Sequence, residues 1–208
     1  MHITAAFPIK MWKRRWFFME DLLLRRMEGS WGAQVTYDLH YPATAAGNTP
    51  FDRWWRRQAE TVRRTAARET GRFPTRYAAE WQETRRDARF CSGFLDVSRC
   101  VGHSDWTLWR ISATFTREST HPHTLRQLLS CDWQKTLQPM IYQELEKLSA
   151  GETPFFRGWQ RRTRPGGYYL TEEGLCLWFP QEQLGPKNAG LPTVLLPYDS
   201  LDILRCLC

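Results

Sequence analysis

Lysine is scarce in this sequence, with 5 residues against 24 arginines, and several further absences bound what the chain can do. No apolar run reaches the ~18 residues that a bilayer-spanning helix requires, so no transmembrane segment is expected. The 6 cysteines, Cys91, Cys100, Cys131, Cys176, Cys206 and Cys208, contain no CxxC pair. Their spacing is neither that of a zinc knuckle nor that of a small disulfide framework. Buried free thiols in a reducing compartment are the expectation, with Cys206 and Cys208 at the C-terminal end the exposed exception. Also missing are a Gly-x-Ser-x-Gly elbow, a phosphate-cradling glycine loop, a dinucleotide fingerprint and a His-Glu-x-x-His helix. The apolar stretch after Lys13, Arg14 and Arg15 is broken by Glu20 and Asp21, and no small-residue cleavage site follows. Read this way, the chain is cytoplasmic if Met1 is its true start.

What is present is aromatic mass and positive charge. The 208 residues are 42% hydrophobic and 14% aromatic and include 11 tryptophans, ample for a packed core. The net charge of +7 is uneven: residues 1–100 carry 18 basic against 11 acidic side chains, and residues 101–208 carry 11 of each. Such asymmetry suits nucleic acid, anionic lipid or an acidic polymer, although a solvated face is the commoner use of surplus charge, and the bias to arginine points to codon composition as well.

Trp12, Trp16, Met19, Leu23 and Met27 recur at three- and four-residue steps, which predicts a helix over residues 9–28, part of an N-terminal helical extension over residues 1–32. A single α+β domain follows over residues 33–208. Val35, Tyr37 and Leu39 alternate with polar residues as in a half-buried strand. Thr49 or Pro50 opens a helix with Phe51, Trp54, Trp55, Ala59, Val62 and Ala66 on its apolar side and an arginine series on the other. Three strands, near residues 75–84, 88–99 and 106–117, have separators short enough for an antiparallel meander. A second helical region begins near Thr124 and restarts at Asp132, with Pro139 expected to kink it or begin a new helix. Strands 168–170 and 175–179 flank Thr171-Glu172-Glu173-Gly174, whose glycine suits a left-handed turn position, and a last strand lies near residues 193–196. The expected fold is a twisted antiparallel sheet with two main helices packed on one face.

Tyr169-Leu170-Thr171, Ala189-Gly190-Leu191-Pro192 and Pro197-Tyr198 together resemble the signature of a bacterial domain-of-unknown-function family, and Thr124-Leu125-Arg126-Gln127-Leu128-Leu129 resembles an element of that family ahead of a helix. The resemblance covers residues 33–201. Its members include the outer portion of lysozyme-sensing anti-sigma factors and a non-catalytic region of a peptidoglycan deacetylase. It implies a cell-wall-related recognition module for a protein or glycan partner, without enzymatic activity and without a cofactor. Two departures stand out: those relatives carry an anchor or export signal, and their aromatic-Glu-x-Ala-Pro-Tyr loop is replaced here by Gln181 to Lys187.

The residues themselves offer several candidate sites. Gln181, Glu182, Gln183, Lys187 and Asn188 lie in a constrained loop beside the aromatic residues Tyr168 and Trp178, a combination suited to sugar or peptide recognition. Arg56, Arg57, Arg63 and Arg64 carry the alternative, electrostatic binding of nucleic acid or another polyanion, with Arg161, Arg162 and Arg164 in a further basic loop. Trp54 and Trp55 could stack on bases, but their place on the apolar stripe favours burial. His121 and His123, with Cys131 and Asp132 nearby, could start a metal site, and a polar turn is the simpler reading. His103 and Asp105 read as ordinary turn residues before they read as an acid–base pair.

Overall fold

The computed structural model describes residues 22–103, 105–116, 118–129, 133–151 and 153–198. Strict alternation organises the first half. In β3 (Thr75–Arg86), β4 (Phe90–Val101) and β5 (Asp105–Thr116), Tyr77, Ala79, Cys91, Leu95, Val97, Ala113 and Phe115 all fall on one buried face, as a two-residue side-chain period requires. Helix α1 (Pro50–Ala67) covers that face with Phe51, Trp55, Ala59, Val62 and Ala66.

The start of α1 is fixed chemically. Thr49 and Asp52 form a reciprocal capping box, with Pro50 at the first helical position. The Asp52 carboxylate, only 4% exposed, accepts from Thr44 N (2.6 Å), Thr44 Oγ1 (2.8 Å), Thr49 N (2.7 Å) and Thr49 Oγ1 (2.7 Å). It therefore ties the end of β2 (Val35–Ala43) to the first turn of the helix.

β1 (Leu23–Trp31) pairs antiparallel with β2, β2 runs parallel to β3 across the α1 crossover, and β3 to β5 form the antiparallel meander. The strand order is β1-β2-β3-β4-β5. A second sheet is built from β6 (Gly167–Leu170), β7 (Gly174–Trp178) and β8 (Thr193–Pro197), all antiparallel. One of its faces, Tyr168, Leu170, Leu175, Leu177, Val194 and Leu196, packs with Leu137, Ile141 and Leu145 of α3 (Trp133–Ser149); the short α2 (Leu125–Leu128) adds Leu128. Its other face presents Tyr169, Cys176 and Trp178 to Phe94 of β4. The layers therefore run α1, large sheet, small sheet, α3.

The contact between the sheets is sealed by hydroxyls. β6 has β7 on one side, and on the other its Leu170 N–H donates to Ser92 Oγ (2.8 Å) while its Leu170 carbonyl accepts from Thr84 Oγ1 (2.6 Å). Ser92 shares a further hydrogen bond of 2.8 Å with Thr114 Oγ1, and both residues are fully buried. An open strand edge is thus satisfied without a ninth strand. Ser92→Ala is expected to cost about 2 kcal/mol, because it leaves a buried amide without an acceptor; urea titration of the variant would measure it, and a loss within error would show that water takes over the role.

The α+β class and the single domain stand as expected, and five differences concern the layout. Residues 23–28 belong to strand β1, not to a helix. A four-residue step, such as Leu23 to Met27, is also two strand repeats, and pairing with β2 selects the strand. The remainder of the expected N-terminal helix lies outside the described residues. The large sheet is mixed, because α1 returns the chain parallel to β2. The two main helices cover different sheets, α1 the large and α3 the small, since each sheet buries its own apolar face. Pro139 lies inside α3 and does not open a new helix. Gly174 has no left-handed conformation; a Cβ there would sit 2.3 Å from the Leu196 carbonyl oxygen, so close backbone approach is what requires glycine.

Candidate functional site

The outer side of α1 is a row of arginines. Arg53, Arg56, Arg57, Arg64 and Arg68 are exposed and lie opposite the buried stripe, so from Arg53 to Arg68 the row runs about 22 Å at 1.5 Å per residue. Arg53 donates to the Asn48 carbonyl (2.8 Å). Arg63, at the flank, pairs with Glu60 (2.9 Å) and sits 5.7 Å over the Trp31 ring. Among the described residues, Arg56, Arg57, Arg64 and Arg68 make no ion pair. Three of the four arginines singled out in the sequence thus remain available, and Arg63 is engaged within the fold. Trp54 and Trp55 pack inward, Trp55 fully buried and edge-on to Trp54 at 4.5 Å.

The loop after β7 is organised by its own amides. Gln181 Oε1 accepts from Leu108 N (2.8 Å) on the edge of β5, and Gln181 Nε2 donates to the Lys187 carbonyl (3.1 Å). Gln183 Nε2 donates to the carbonyls of Arg162 and Arg164, and Lys187 pairs with Asp105. These groups join the loop to β5 and to the segment around the 3-10 turn Trp159–Arg162. Glu182 and Asn188 project into solvent, and Glu182 has a left-handed backbone with φ of 62°, an uncommon state for a residue with a side chain. Tyr168 and Trp178 are in the cores at 8% and 7% exposure; Tyr168 Oη donates to the His123 carbonyl (2.6 Å) and Trp178 Nε1 to Ser112 Oγ (2.8 Å). Their rings are therefore not brought to the loop surface.

The histidines are also taken up locally. His123 Nε2 bonds Thr116 Oγ1 (2.9 Å), and burial lowers the pKa of this imidazole below its ordinary value; His121 Nδ1 bonds Thr120 Oγ1 (2.9 Å). Cys131 and Asp132 lie outside the described residues. Among the described residues no three His, Cys, Asp or Glu side chains gather as a metal site would. Cys91, Cys100 and Cys176 are buried free thiols, and burial pushes Cys91 up to about 12, far from the reactive range.

Sequence reasoning passed over one end of the large sheet. There the β1–β2 turn, the α1–β3 loop and the β4–β5 turn meet, and each presents a large exposed aromatic: Trp31 (42%), Phe73 (66%) and Trp106 (47%). A shallow depression of about 400 Å³ opens there, lined in part by Trp31, Gln34, Glu69 and Gly71. Glu69 bonds Arg99 Nε (2.8 Å) and Tyr77 Oη (2.9 Å), and the Arg99 guanidinium holds this carboxyl below its ordinary value. The signal available in sequence was a bulky apolar residue beside turn-forming Gly or Pro, as in Trp31-Gly32 and Phe73-Pro74.

No family model and no curated protein matches the chain. Solved structures do resemble it. A DUF3298 family protein from Pseudomonas aeruginosa PAO1 superposes with a TM-score of 0.64 at 13% identity, covering 89% of this chain and 94% of that one. A DUF3298 family member from Bacteroides fragilis NCTC 9343 gives 0.54 at 9% identity, covering 86% and 90%. Over most of its length, the chain carries the fold of a DUF3298-type domain.

Proposed function

We propose that this chain is a non-enzymatic binding module whose contact surface is the outer face of α1 and whose ligand is a polyanion. The exposed Arg56, Arg57, Arg64 and Arg68, which make no ion pair among the described residues, carry this reading. Guanidinium groups not neutralised within the fold gain most from an external phosphate or carboxylate, which they bind through paired N–H donors. The loop surface expected from the sequence supports a glycan or peptide contact less well, because Gln181, Gln183 and Lys187 already bond within the protein.

The test is titration of fluorescein-labelled polyphosphate and of labelled single-stranded DNA with the intact chain and with Arg56→Glu/Arg57→Glu/Arg64→Glu. Affinity is expected to fall at least tenfold in the variant, and the slope of log K against log salt to become shallower by about 2 to 3. Salt-insensitive binding, or binding the variant keeps, overturns the reading. Lysozyme and soluble peptidoglycan fragments belong in the same titration. Tight binding of either that survives the arginine reversal and is lost on Glu182→Ala/Asn188→Ala would move the contact to the loop and restore the sensor-type reading.

A further inference from the structure

We infer that the end of the large sheet bearing Trp31, Phe73 and Trp106 seats the domain on an anionic lipid surface. This extends the polyanion reading from soluble chains to a bilayer and rests on it for the sign of the charge. Strand register places the three aromatics at one end: Trp31 pairs with Val35, Val35 with Thr75, and Trp106 with Cys100, while Phe73 lies two residues before Thr75. Gly32 and Gly102, in left-handed conformations with φ of 61° and 62°, form the two hairpin turns, and a Cβ at either would meet nothing within 4 Å. Among the described residues nothing covers the tips of these turns.

The three side chains do not make a continuous patch. Trp31 shares its face with Val35 on the α1 side, whereas alternation along β4 puts Trp106, through Cys100, on the face of Phe94 toward the small sheet. Five strands at ~4.8 Å spacing separate them by about 19 Å. A protein partner needs one contiguous complementary surface. A bilayer interface instead takes separate aromatic tips side by side, each with its ring at headgroup depth. The charge agrees: exposed Arg68 and Arg72 stand at the same end, while its acids Glu69 and Asp105 are paired with Arg99 and Lys187. What the end offers outward is thus aromatic and positive, the pair of features that holds peripheral segments on anionic leaflets.

Flotation with vesicles of phosphatidylglycerol and phosphatidylcholine, against vesicles of phosphatidylcholine alone, tests this with the intact chain. Partition to the anionic vesicles is expected, weakened about thirtyfold by Arg68→Gln/Arg72→Gln and about tenfold or more by Trp31→Ser/Phe73→Ser/Trp106→Ser. The aromatic variant should bind labelled polyphosphate as the parent does. If that triple variant does not fold, Phe73→Ser alone, at the most exposed of the three positions, carries the test. No partition by the intact chain, or partition indifferent to the aromatics, overturns the inference. An intact chain that binds polyphosphate but not the anionic vesicles removes the lipid seat alone, and one that binds neither removes the polyanion reading as well.

Discussion

Replacing Asp52 with alanine is expected to lower the thermal midpoint by roughly 8–16 °C, the equivalent of about 4 kcal/mol for a domain of this size. The carboxylate accepts two main-chain amides, Thr44 N and Thr49 N, and two hydroxyls, in a position 4% exposed. Hydrogen bonds to a charged acceptor contribute about 1.5–3 kcal/mol each in mutational series, and a buried donor left without one costs its full desolvation. The same substitution removes half of the capping box, a further ~1 kcal/mol. Asp52→Asn keeps one acceptor oxygen and turns the other into a donor facing donors, so it should lose about as much or slightly less. Differential scanning calorimetry of the two variants measures this directly. A shift of only 1–2 °C for Asp52→Ala would mean that the joint between β2 and α1 holds without its carboxylate.

Gly93→Ala is expected to cost about 3 kcal/mol although it adds a single methyl group. A Cβ at Gly93 would stand 2.1 Å from Trp81 Cη2 and 2.5 Å from the Gln82 carbonyl oxygen. The indole cannot retreat freely, since its ring centre lies 4.5 Å from that of Trp55, which is fully buried under α1. The carbonyl belongs to the neighbouring strand, just before the register shift between Glu83 and Arg85. Strain therefore passes to both the helix and the sheet. A double-mutant cycle with Trp81→Leu separates the two contacts: recovery of about 1 kcal/mol or more in the double variant assigns the clash to the ring, and strict additivity assigns it to the main chain.

Local chemistry was legible in the sequence and long-range pairing was not. The capped start of α1 at Thr49 and Pro50, the meander β3–β5, the break between α2 and α3 and the three short C-terminal strands all followed from period, turn residues and caps. The parallel pairing of β2 with β3 and the separation into two sheets did not, because they depend on where α1 and α3 dock, and one stripe of apolar residues does not name its partner. Leu23 and Met27 misled for a simple reason: a spacing of four fits both periodicities. In the loop, Gln181 and Gln183 were legible as amides between Pro180 and Gly190, but the groups they bond lie far away in sequence, at Leu108, Arg162 and Arg164. Tyr168 and Trp178 could not be told apart from surface aromatics until α3 and the large sheet were seen to cover them. The arginine row was the easiest to read, since helical phase alone sets it opposite Trp55 and Val62.

The hydroxyl seal between the sheets also sets a schedule for the ribosome. All of the large sheet has been synthesised by Thr116, whereas the strand that docks on its second face begins only at Gly167. At 5–20 residues per second the nascent sheet waits roughly 3–10 s with Phe90, Ser92 and Phe94 uncovered. The Ser92–Thr114 hydrogen bond joins two paired strands of the large sheet, so it needs nothing from the later residues and leaves the waiting face with its hydroxyls already partnered.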